Sequence, residues 1–114
     1  MFPKKHDFVK ALVKRFPDIT TVTFSVNRTP EMLLLGENNE VLYGEGYITD
    51  ILCGKRFRIS PHSFYQINHA QTEKLYDYAI KAAKLTKKDV LLDAYSGIGT
   101  IGIIASDYVK QVQG

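Results

Sequence analysis

The sequence contains a single cysteine and no long apolar run, and each scarcity excludes a class of protein. Cys53 has no partner for a disulfide within the chain, nor the CxxC spacing of zinc and iron–sulfur sites. The three histidines, His6, His62 and His69, also lack the mutual spacing of a metal site. No stretch of about 18 apolar residues is present, and the segment MFPKKHDFVK does not resemble a signal peptide. We therefore expect a soluble cytoplasmic protein without a metal site or redox chemistry.

The overall balance of charge and hydropathy is that of an ordinary folded domain. Hydrophobic residues make up 45% and charged residues 24% of the 114 residues, as in soluble globular proteins. The net charge of +3 is mild, so nucleic-acid binding has to be argued from where the positive charge lies. Two basic clusters are present: Lys4, Lys5, Lys10, Lys14 and Arg15 in the first segment, and Lys55, Arg56 and Arg58 around a turn. Each is either a solvated surface or a contact for RNA.

The first half of the chain predicts one helix followed by strands. Apolar residues recur at helical spacing at Val9, Leu12, Val13 and Phe16. Asp7 is the expected N-cap of this helix and Pro17 its end. Alternating apolar and polar residues from 21 to 26 predict a half-buried strand that ends near Asn27.

Two turns divide the rest of this strand-rich half. Turn-forming residues at 37–39 separate three leucines at 33–35 from the run at 41–52, which together suggest a meander. A second turn at Cys53 and Gly54 leads into alternating residues at 56–60, which predict the second arm of a hairpin. Pro61 follows and ends the strand-rich half.

The second half of the chain predicts alternating helices and strands. Asn68 is a good N-cap for a helix that ends near Thr86 and whose apolar positions are Leu75, Ala79, Ile80 and Ala83. Residues 89–93 are continuously apolar in the middle, as in a strand buried on both faces of a parallel sheet. A glycine loop and a helix from Thr100 to about Lys110 come next. We therefore predict an α/β chain with an α+β lobe over residues 1–60 and an α/β domain over 61–114.

A strand that runs into a glycine loop and a helix forms a ligand site at the carboxyl edge of a sheet. Gly97 and Gly99 allow close backbone approach, and the helix N-terminus offers unpaired N–H groups. Residues 97–102 also satisfy GxGxxG, a pattern of dinucleotide-binding sites. Asp93 opposes that assignment, because its carboxylate would repel a pyrophosphate but suits an ammonium group, as in S-adenosylmethionine. The alternative without a ligand is a tight turn whose glycines only permit packing.

Two motifs together resemble the RNA (uracil-5-)methyltransferase family. The D-x-x-x-G-x-G arrangement from Asp93 to Gly99 resembles the first motif of class I methyltransferases, whose fold is a seven-stranded doubly wound sheet. Upstream, FRISPHSFYQIN at 57–68 resembles the family signature F-x-I-S-P-x-S-F-F-Q-x-N. The resemblance implies that residues 1–60 are a lobe of RNA-binding type and that residues 61–114 begin a Rossmann-like domain, here incomplete. It also implies an S-adenosylmethionine-dependent enzyme that forms 5-methyluridine in RNA, foremost 23S ribosomal RNA, with transfer RNA as the other substrate.

The resemblance further implies which residues bind the ligands. The cofactor contacts would be Gln66, Asp93, Tyr95, Gly97, Gly99 and Thr100. Phe64 and Tyr65 would wall the cofactor or target-base pocket, since aromatic faces stack on bases. Structural alternatives remain for several of them, with Phe64 in the core, Gln66 satisfying backbone groups and Tyr95 covering the sheet edge. Ser96 stands where many relatives have cysteine.

The catalytic groups of the family are not expected in this chain. The family adds a cysteine thiolate to C6 of uracil and removes the C5 proton with a carboxylate, and both groups lie well beyond the glycine loop in relatives. Cys53 lacks the family's nucleophile surroundings, so we expect it to be a bystander. The chain is thus predicted to be an inactive fragment whose open sheet edges favour self-association. A non-enzymatic RNA-binding module and a fragment of an NAD-binding oxidoreductase remain as alternatives.

Overall fold

The computed structural model describes residues 2–26 and 38–114. In them the order of elements is α1 (Lys5–Arg15), β1 (Val22–Val26), β2 (Asn38–Tyr43), β3 (Ile48–Leu52), β4 (Lys55–Ile59), α2 (His69–Ala83), β5 (Val90–Leu92), α3 (Thr100–Ala105) and β6 (Gln111–Gln113). The strands pair into three two-stranded sheets, β1 with β2, β3 with β4 and β5 with β6. The predicted mixture of helices and strands is confirmed, with small sheets in place of one large one.

Two compact units make up the chain. One comprises residues 1–48 and 58–62, and the other comprises residues 49–57 and 63–114. The expected domain boundary between residues 60 and 61 stays a prediction. Within the described residues, no helix has both the length and the apolar character needed to cross a membrane.

The predicted first helix is confirmed, although it begins differently. Lys4, in the left-handed conformation at φ 55°, precedes the first turn, and no side chain caps it. Asp7 therefore lies inside the first turn and is not the N-cap, so that prediction is wrong. Its negative charge still favours the positive end of the helix dipole from that position. The helix ends at Phe16, directly before Pro17.

The predicted strand at 21–26 is confirmed as β1, which pairs antiparallel with β2. Asn38 and Asn39 belong to β2, so the turn predicted for them is wrong, because pairing with β1 outweighs the turn preference of asparagine. The leucines at 33–35, Glu37 and the expected strand end at Asn27 lie outside the described residues. The run at 41–52 is not one arm of a meander, since a turn at 44–47 divides it between β2 and β3.

The turn after β2 requires glycine at position 44. Gly44 has φ +73°, and a Cβ atom there would lie 2.1 Å from the carbonyl oxygen of Thr20. The Thr21 hydroxyl donates to the carbonyl of Tyr43 at 2.9 Å and accepts from the N–H of Gly46 at 2.9 Å. Backbone and side-chain contacts thus hold this turn against the residues that lead into β1.

The predicted hairpin around Cys53 and Gly54 is confirmed as β3 and β4. Both turn residues have positive φ, 49° for Cys53 and 76° for Gly54. At either side of the turn, Leu52 and Phe57 are buried, with exposed fractions of 1% and 4%. Burial of these two side chains sets which face of the hairpin turns inward.

The predicted second helix and its N-cap are also confirmed. The Asn68 side chain accepts from the N–H of Gln71 at 3.3 Å, and α2 ends at Lys84, which is left-handed at φ 50° and lies before the predicted end at Thr86. Its buried positions are Thr72, Tyr76 and Ile80. Leu75, predicted to be part of the apolar face, is 57% exposed. The buried face includes Tyr76 because its ring packs inward while its hydroxyl finds a polar partner.

The strand before the glycine loop is parallel, as predicted, and pairs with β6. Val90 and Leu92 are 55% and 71% exposed, so burial on both faces is wrong for the described residues. A strand with one neighbour and one covering helix keeps a face and an edge open. The final helix, α3, stops at Ala105 and not near Lys110, because residues 111–113 form β6, which the periodicity did not predict.

A chain of polar contacts fastens the segment between β4 and α2 to β3. The Tyr65 hydroxyl donates to Oδ2 of Asp50 at 2.9 Å, and Nδ1 of His69 lies 3.2 Å from the same oxygen. On its other side, Nε2 of His69 lies 3.4 Å from Oε1 of Glu73. That oxygen accepts from the N–H of Cys53 at 2.9 Å. His69 thus bridges two carboxylates.

The environment of Tyr65 and Asp50 shifts both pKa values. Burial, reinforced by the hydrogen bond to Asp50, raises the pKa of Tyr65 to about 12. The hydrogen bond from Tyr65 lowers the pKa of Asp50, and His69 acts in the same direction. Both shifts favour the protonated phenol beside the ionised carboxylate, so the contact is stable across neutral pH.

Replacing Gly44 by alanine should destabilise the chain by about 3 kcal/mol, because a left-handed conformation and a collision with backbone act together. Gly54→Ala is the matched control, since Gly54 has φ +76° but a Cβ there meets nothing within 4 Å. Only the conformational cost of about 1 kcal/mol applies to it. Urea unfolding measures both, and equal losses would contradict the role of the Thr20 contact.

Ionisation of Tyr65 should cost stability at high pH. A folded-state pKa of about 12, above the ordinary 10.0, means that the stabilisation is complete below pH 10 and is lost as the pH approaches 12. Tyrosinate absorbance should therefore show a late phase that comes from Tyr65. Tyr65→Phe should remove that late phase and Tyr78→Phe, at an exposed ring, should retain it. A late phase that survives Tyr65→Phe would contradict the assignment.

Candidate functional site

The loop between β5 and α3 lines a cavity of about 290 Å³. Among the residues around it are Asp93, Ser96, Gly97, Gly99, Gly102 and Val112. Three of the six predicted cofactor contacts, Asp93, Gly97 and Gly99, are thus brought together at one cavity. The strand end, the loop and the helix start supply them in chain order.

The loop owes its shape to residues with positive φ. Tyr95, Gly97 and Gly99 have φ values of 60°, 57° and 74°. The N–H of Gly99 donates to the carbonyl of Ser96 at 2.7 Å and closes the turn. A Cβ at Gly97 would meet no atom within 4 Å, so this glycine is needed for its conformation and leaves the backbone open to a ligand.

Asp93 is the charged group of this cavity, and the chain holds it in place at two points. Its N–H donates to the carbonyl of Gln113 at 2.7 Å, which continues the pairing of β5 with β6. Its Oδ2 accepts from the N–H of Gly102 at 3.0 Å. Among the described residues no hydrogen bond engages Oδ1 of Asp93. A half-buried carboxylate with one oxygen left for a ligand attracts a cationic group and repels a phosphate.

Gly102 allows this contact because it has no side chain. A Cβ at this position would lie 2.7 Å from Oδ2 of Asp93 and 3.0 Å from Cγ1 of Val112. The start of α3 can therefore approach β5 and β6 only with glycine here. The site prediction omitted Gly102 and Val112. Gly102 could have been identified as the third glycine of GxGxxG, since that glycine serves close helix–strand packing. No sequence signal pointed to Val112, because β6 was not predicted.

Thr100, another predicted cofactor contact, makes a different interaction. Its hydroxyl lies 3.0 Å from the Tyr76 hydroxyl on α2. Tyr76 is buried, so this hydrogen bond satisfies its polar end and joins α2 to the start of α3. Thr100 therefore connects the end of the loop to α2 and does not line the cavity.

The remaining predicted site residues lie outside the cavity lining. Tyr95 is fully exposed and Phe64 is 77% exposed, so Tyr95 does not cover the sheet edge and Phe64 is not a core residue. Gln66 is exposed as well. Tyr65 is half-buried, packs on Phe57 with ring centroids 6.4 Å apart, and donates its hydroxyl to Asp50. Tyr95 combines full exposure with a left-handed backbone, a strained combination that is frequent at functional sites.

Cys53 has the surroundings of an unreactive thiol. Burial and the negative charges of Glu73 and Asp77 raise its pKa, which keeps the thiol protonated and a weak nucleophile. The expectation that Cys53 is a bystander fits this environment. Within residues 2–26 and 38–114, no three His, Cys, Asp or Glu side chains are grouped so that they could hold a metal ion.

Sequence comparison finds relatives that match nearly the whole chain. An uncharacterized RNA methyltransferase of Staphylococcus aureus is 42% identical over 113 residues, which are 99% of this chain and 25% of that protein. One of Caldanaerobacter subterraneus subsp. tengcongensis is 43% identical over 112 residues, 98% of this chain and 25% of the relative. The chain spans about a quarter of the length of these curated relatives. No protein-family model matches it.

A solved structure matches the fold. The crystal structure of Pyrococcus abyssi tRNA (uracil-54, C5)-methyltransferase in complex with S-adenosyl-L-homocysteine aligns with a TM-score of 0.59 and 33% identity. The alignment covers 75% of this chain and 21% of that protein. The resemblance to RNA (uracil-5-)methyltransferases drawn from the two motifs is confirmed, and the chain is homologous to one quarter of an RNA methyltransferase.

Proposed function

We propose that the chain is the cofactor-binding segment of an S-adenosylmethionine-dependent RNA methyltransferase that forms 5-methyluridine. The observation that carries the proposal is Asp93, a half-buried carboxylate fixed beside an open glycine loop. The homology to RNA methyltransferases supports the reaction class. S-adenosyl-L-homocysteine, present in the Pyrococcus abyssi structure, is what S-adenosylmethionine becomes when it has given up its methyl group.

The residues of the cavity fit this cofactor. Asp93 has an oxygen available for the ammonium of the methionine moiety, while Gly97 and Gly99 let the backbone approach without a Cβ. When bound, S-adenosylmethionine supplies a methyl group activated on a sulfonium cation. The role of the chain is to bind and orient that group, with the hydrogen bond between Gly102 and Asp93 keeping the carboxylate in position.

Three of the other predicted contacts, Gln66, Tyr95 and Phe64, have side chains available for ligands. Gln66 offers an amide donor and a carbonyl acceptor from an exposed position, and we assign it to the cofactor. Tyr95 presents an exposed ring at the loop and is assigned to the cofactor pocket. Thr100 is hydrogen-bonded to Tyr76, and we assign it a role in positioning the loop. Of the two substrate candidates, Phe64 has the free aromatic face, whereas Tyr65 is engaged by Asp50.

The exposed flanks of β5 support an internal place for this strand in a larger sheet. Val90 and Leu92 present apolar side chains to solvent on a strand whose composition is typical of burial on both faces. In a longer protein, additional strands and helices would cover them. We propose that residues 61–114 begin such a doubly wound domain and that residues 1–60 form a separate lobe.

We propose that the nucleophile and the base of the reaction lie outside these 114 residues, so that the chain alone is inactive. Cys53, its only cysteine, has a raised pKa and its backbone N–H is bonded to Glu73. Uridine in 23S ribosomal RNA is the first proposed substrate, acted on in the cytoplasm. Transfer RNA is the second, since the solved relative is named for uracil-54 of tRNA.

A nicotinamide dinucleotide is the competing ligand, favoured only by the GxGxxG pattern. Asp93 argues against it, because a carboxylate at the loop would repel the pyrophosphate. The same residue therefore distinguishes the two ligands, since its charge attracts one and opposes the other.

Asp93→Asn should weaken binding of S-adenosylmethionine about 10- to 100-fold, because an amide replaces the charge that pairs with the ammonium group. The dissociation constant is measured by calorimetry on a longer polypeptide that contains this chain and has the length of its relatives. Asp77→Asn removes an equal charge at an exposed position on α2 and should leave the affinity unaltered. If the site instead bound NAD, Asp93→Asn would maintain or strengthen NAD binding, and that outcome would contradict the proposal.

Methyl transfer tests the reaction itself. The polypeptide of the relatives' length, supplied with radiolabelled S-adenosylmethionine, should label ribosomal RNA transcripts at uridine and release 5-methyluridine on digestion. A transcript with 5-fluorouridine at the target should trap the enzyme covalently. The base that normally abstracts the C5 proton cannot abstract fluorine, so the covalent intermediate is not released. Absence of label in both ribosomal and transfer RNA would refute the proposed activity, and the 114-residue chain serves as the inactive control.

A further inference from the structure

A second cavity, of about 460 Å³, lies between α1 and β2. Its lining includes His6, Lys10 and Lys14 from α1 and Leu42 and Tyr43 from β2, and none of the described residues that line it carries a carboxylate. We call it the α1–β2 groove. Its volume falls within the range of pockets that enclose small organic groups. The proposed methyl-transfer chemistry does not use it.

The three basic residues form one line along the helix. His6, Lys10 and Lys14 are four residues apart, so they project from the same face with a rise of about 6 Å between successive side chains. All three are exposed. Lys5, on another face, is paired with Glu40, whereas neither Lys10 nor Lys14 forms an ion pair within the part of the chain described. Their charges are therefore available to a partner.

The floor of the groove is apolar and includes an aromatic ring. Val9 is buried, with 5% of its surface exposed, and Tyr43, which lines the same groove as the three basic residues, is 42% exposed. An exposed aromatic face next to a row of cations is the combination that binds single-stranded nucleic acid, because bases stack on the ring while phosphates pair with the cations. A protein helix would require a longer apolar surface with fewer charges at its edge.

We propose that the α1–β2 groove binds a single-stranded stretch of the substrate RNA, away from the uridine that is methylated. This inference rests on the proposed function for the choice of RNA as partner. Lys10 and Lys14 contact successive phosphates, and Tyr43 stacks on a base between them. Such a surface adds affinity and orients the RNA without taking part in methyl transfer.

The test uses the 114-residue chain and a fluorescein-labelled oligouridylate of about 12 nucleotides, within the site sizes of single-strand binders. Binding is measured by anisotropy from about 50 to about 200 mM salt. The variant Lys10→Gln/Lys14→Gln is compared with Lys88→Gln/Lys110→Gln, which removes the same charge from exposed positions before β5 and β6. Circular dichroism verifies that each variant is folded.

Loss of two phosphate contacts should reduce the salt slope by about 1.4. The ratio of the wild-type affinity to the affinity of the Lys10/Lys14 variant should accordingly fall about sevenfold from the lower to the higher salt concentration. The Lys88/Lys110 control should bind as the wild type does. Tyr43→Leu should weaken binding at least about fivefold and Tyr43→Phe should not, since the ring is what stacks.

Equal behaviour of the two lysine variants would overturn the proposal. The proposal would also be overturned if a polyglutamate peptide competed as well as unlabelled oligouridylate does, because the groove would then bind an acidic protein segment. These outcomes are separate from failure of the proposed function. Methyl transfer by the longer polypeptide with unaltered RNA binding in the Lys10/Lys14 variant would refute the groove alone. RNA binding that depends on the groove, without methyl transfer, would refute the enzyme alone.

Discussion

The hydrogen bond from the Gly102 N–H to Asp93 is the contact on which the candidate site depends. It joins the end of β5 to the first turn of α3 at 3.0 Å, and no Cβ can be accommodated between them. Asp93 is simultaneously tied to β6 through the carbonyl of Gln113. One residue thereby sets the distance between strand and helix and places a negative charge at the cavity. The packing and the charge of the site are consequently inseparable.

The segment that precedes α2 is held by a different kind of contact. Tyr65, Asp50, His69 and Glu73 form a continuous polar chain from β3 to α2. Several neighbouring side chains of the signature segment are exposed. Phe64 and Gln66 are examples. Residues proposed to contact ligands thus alternate with residues that anchor the backbone.

The two cavities differ in the charge that surrounds them, and the ligands that we propose for them differ accordingly. Among the described side chains that line the glycine-loop cavity, Asp93 carries the negative charge, whereas His6, Lys10 and Lys14 line the α1–β2 groove. A cationic cofactor is favoured at the first and a polyanion at the second, because each would be repelled from the other site. Homology to one quarter of an RNA methyltransferase fits this pairing of a cofactor with a nucleic acid.

Features that depend on neighbouring residues could be predicted from the sequence. Helical periodicity, the Asn68 cap, the turn at Cys53–Gly54 and the glycine loop are local, since their conformations follow from residues a few positions apart. The motif from Asp93 to Gly99 was sufficient to identify three residues that the structure brings to one cavity. Those seven positions already contained a carboxylate beside open backbone, whereas the contacts that fix the carboxylate come from Gly102 and Gln113.

Strand pairing and burial depend on residues far apart in the chain and could be seen only in the folded structure. Pairing with β1 converted Asn38 and Asn39 from an expected turn into strand, and pairing with β5 produced β6 and shortened α3. Burial of Tyr76 in place of Leu75 follows from its hydroxyl reaching Thr100 on another helix. The α1–β2 groove likewise requires two elements separated along the chain. Strand pairing and burial are properties of residues that meet in space, and short-range sequence patterns carry no information about them.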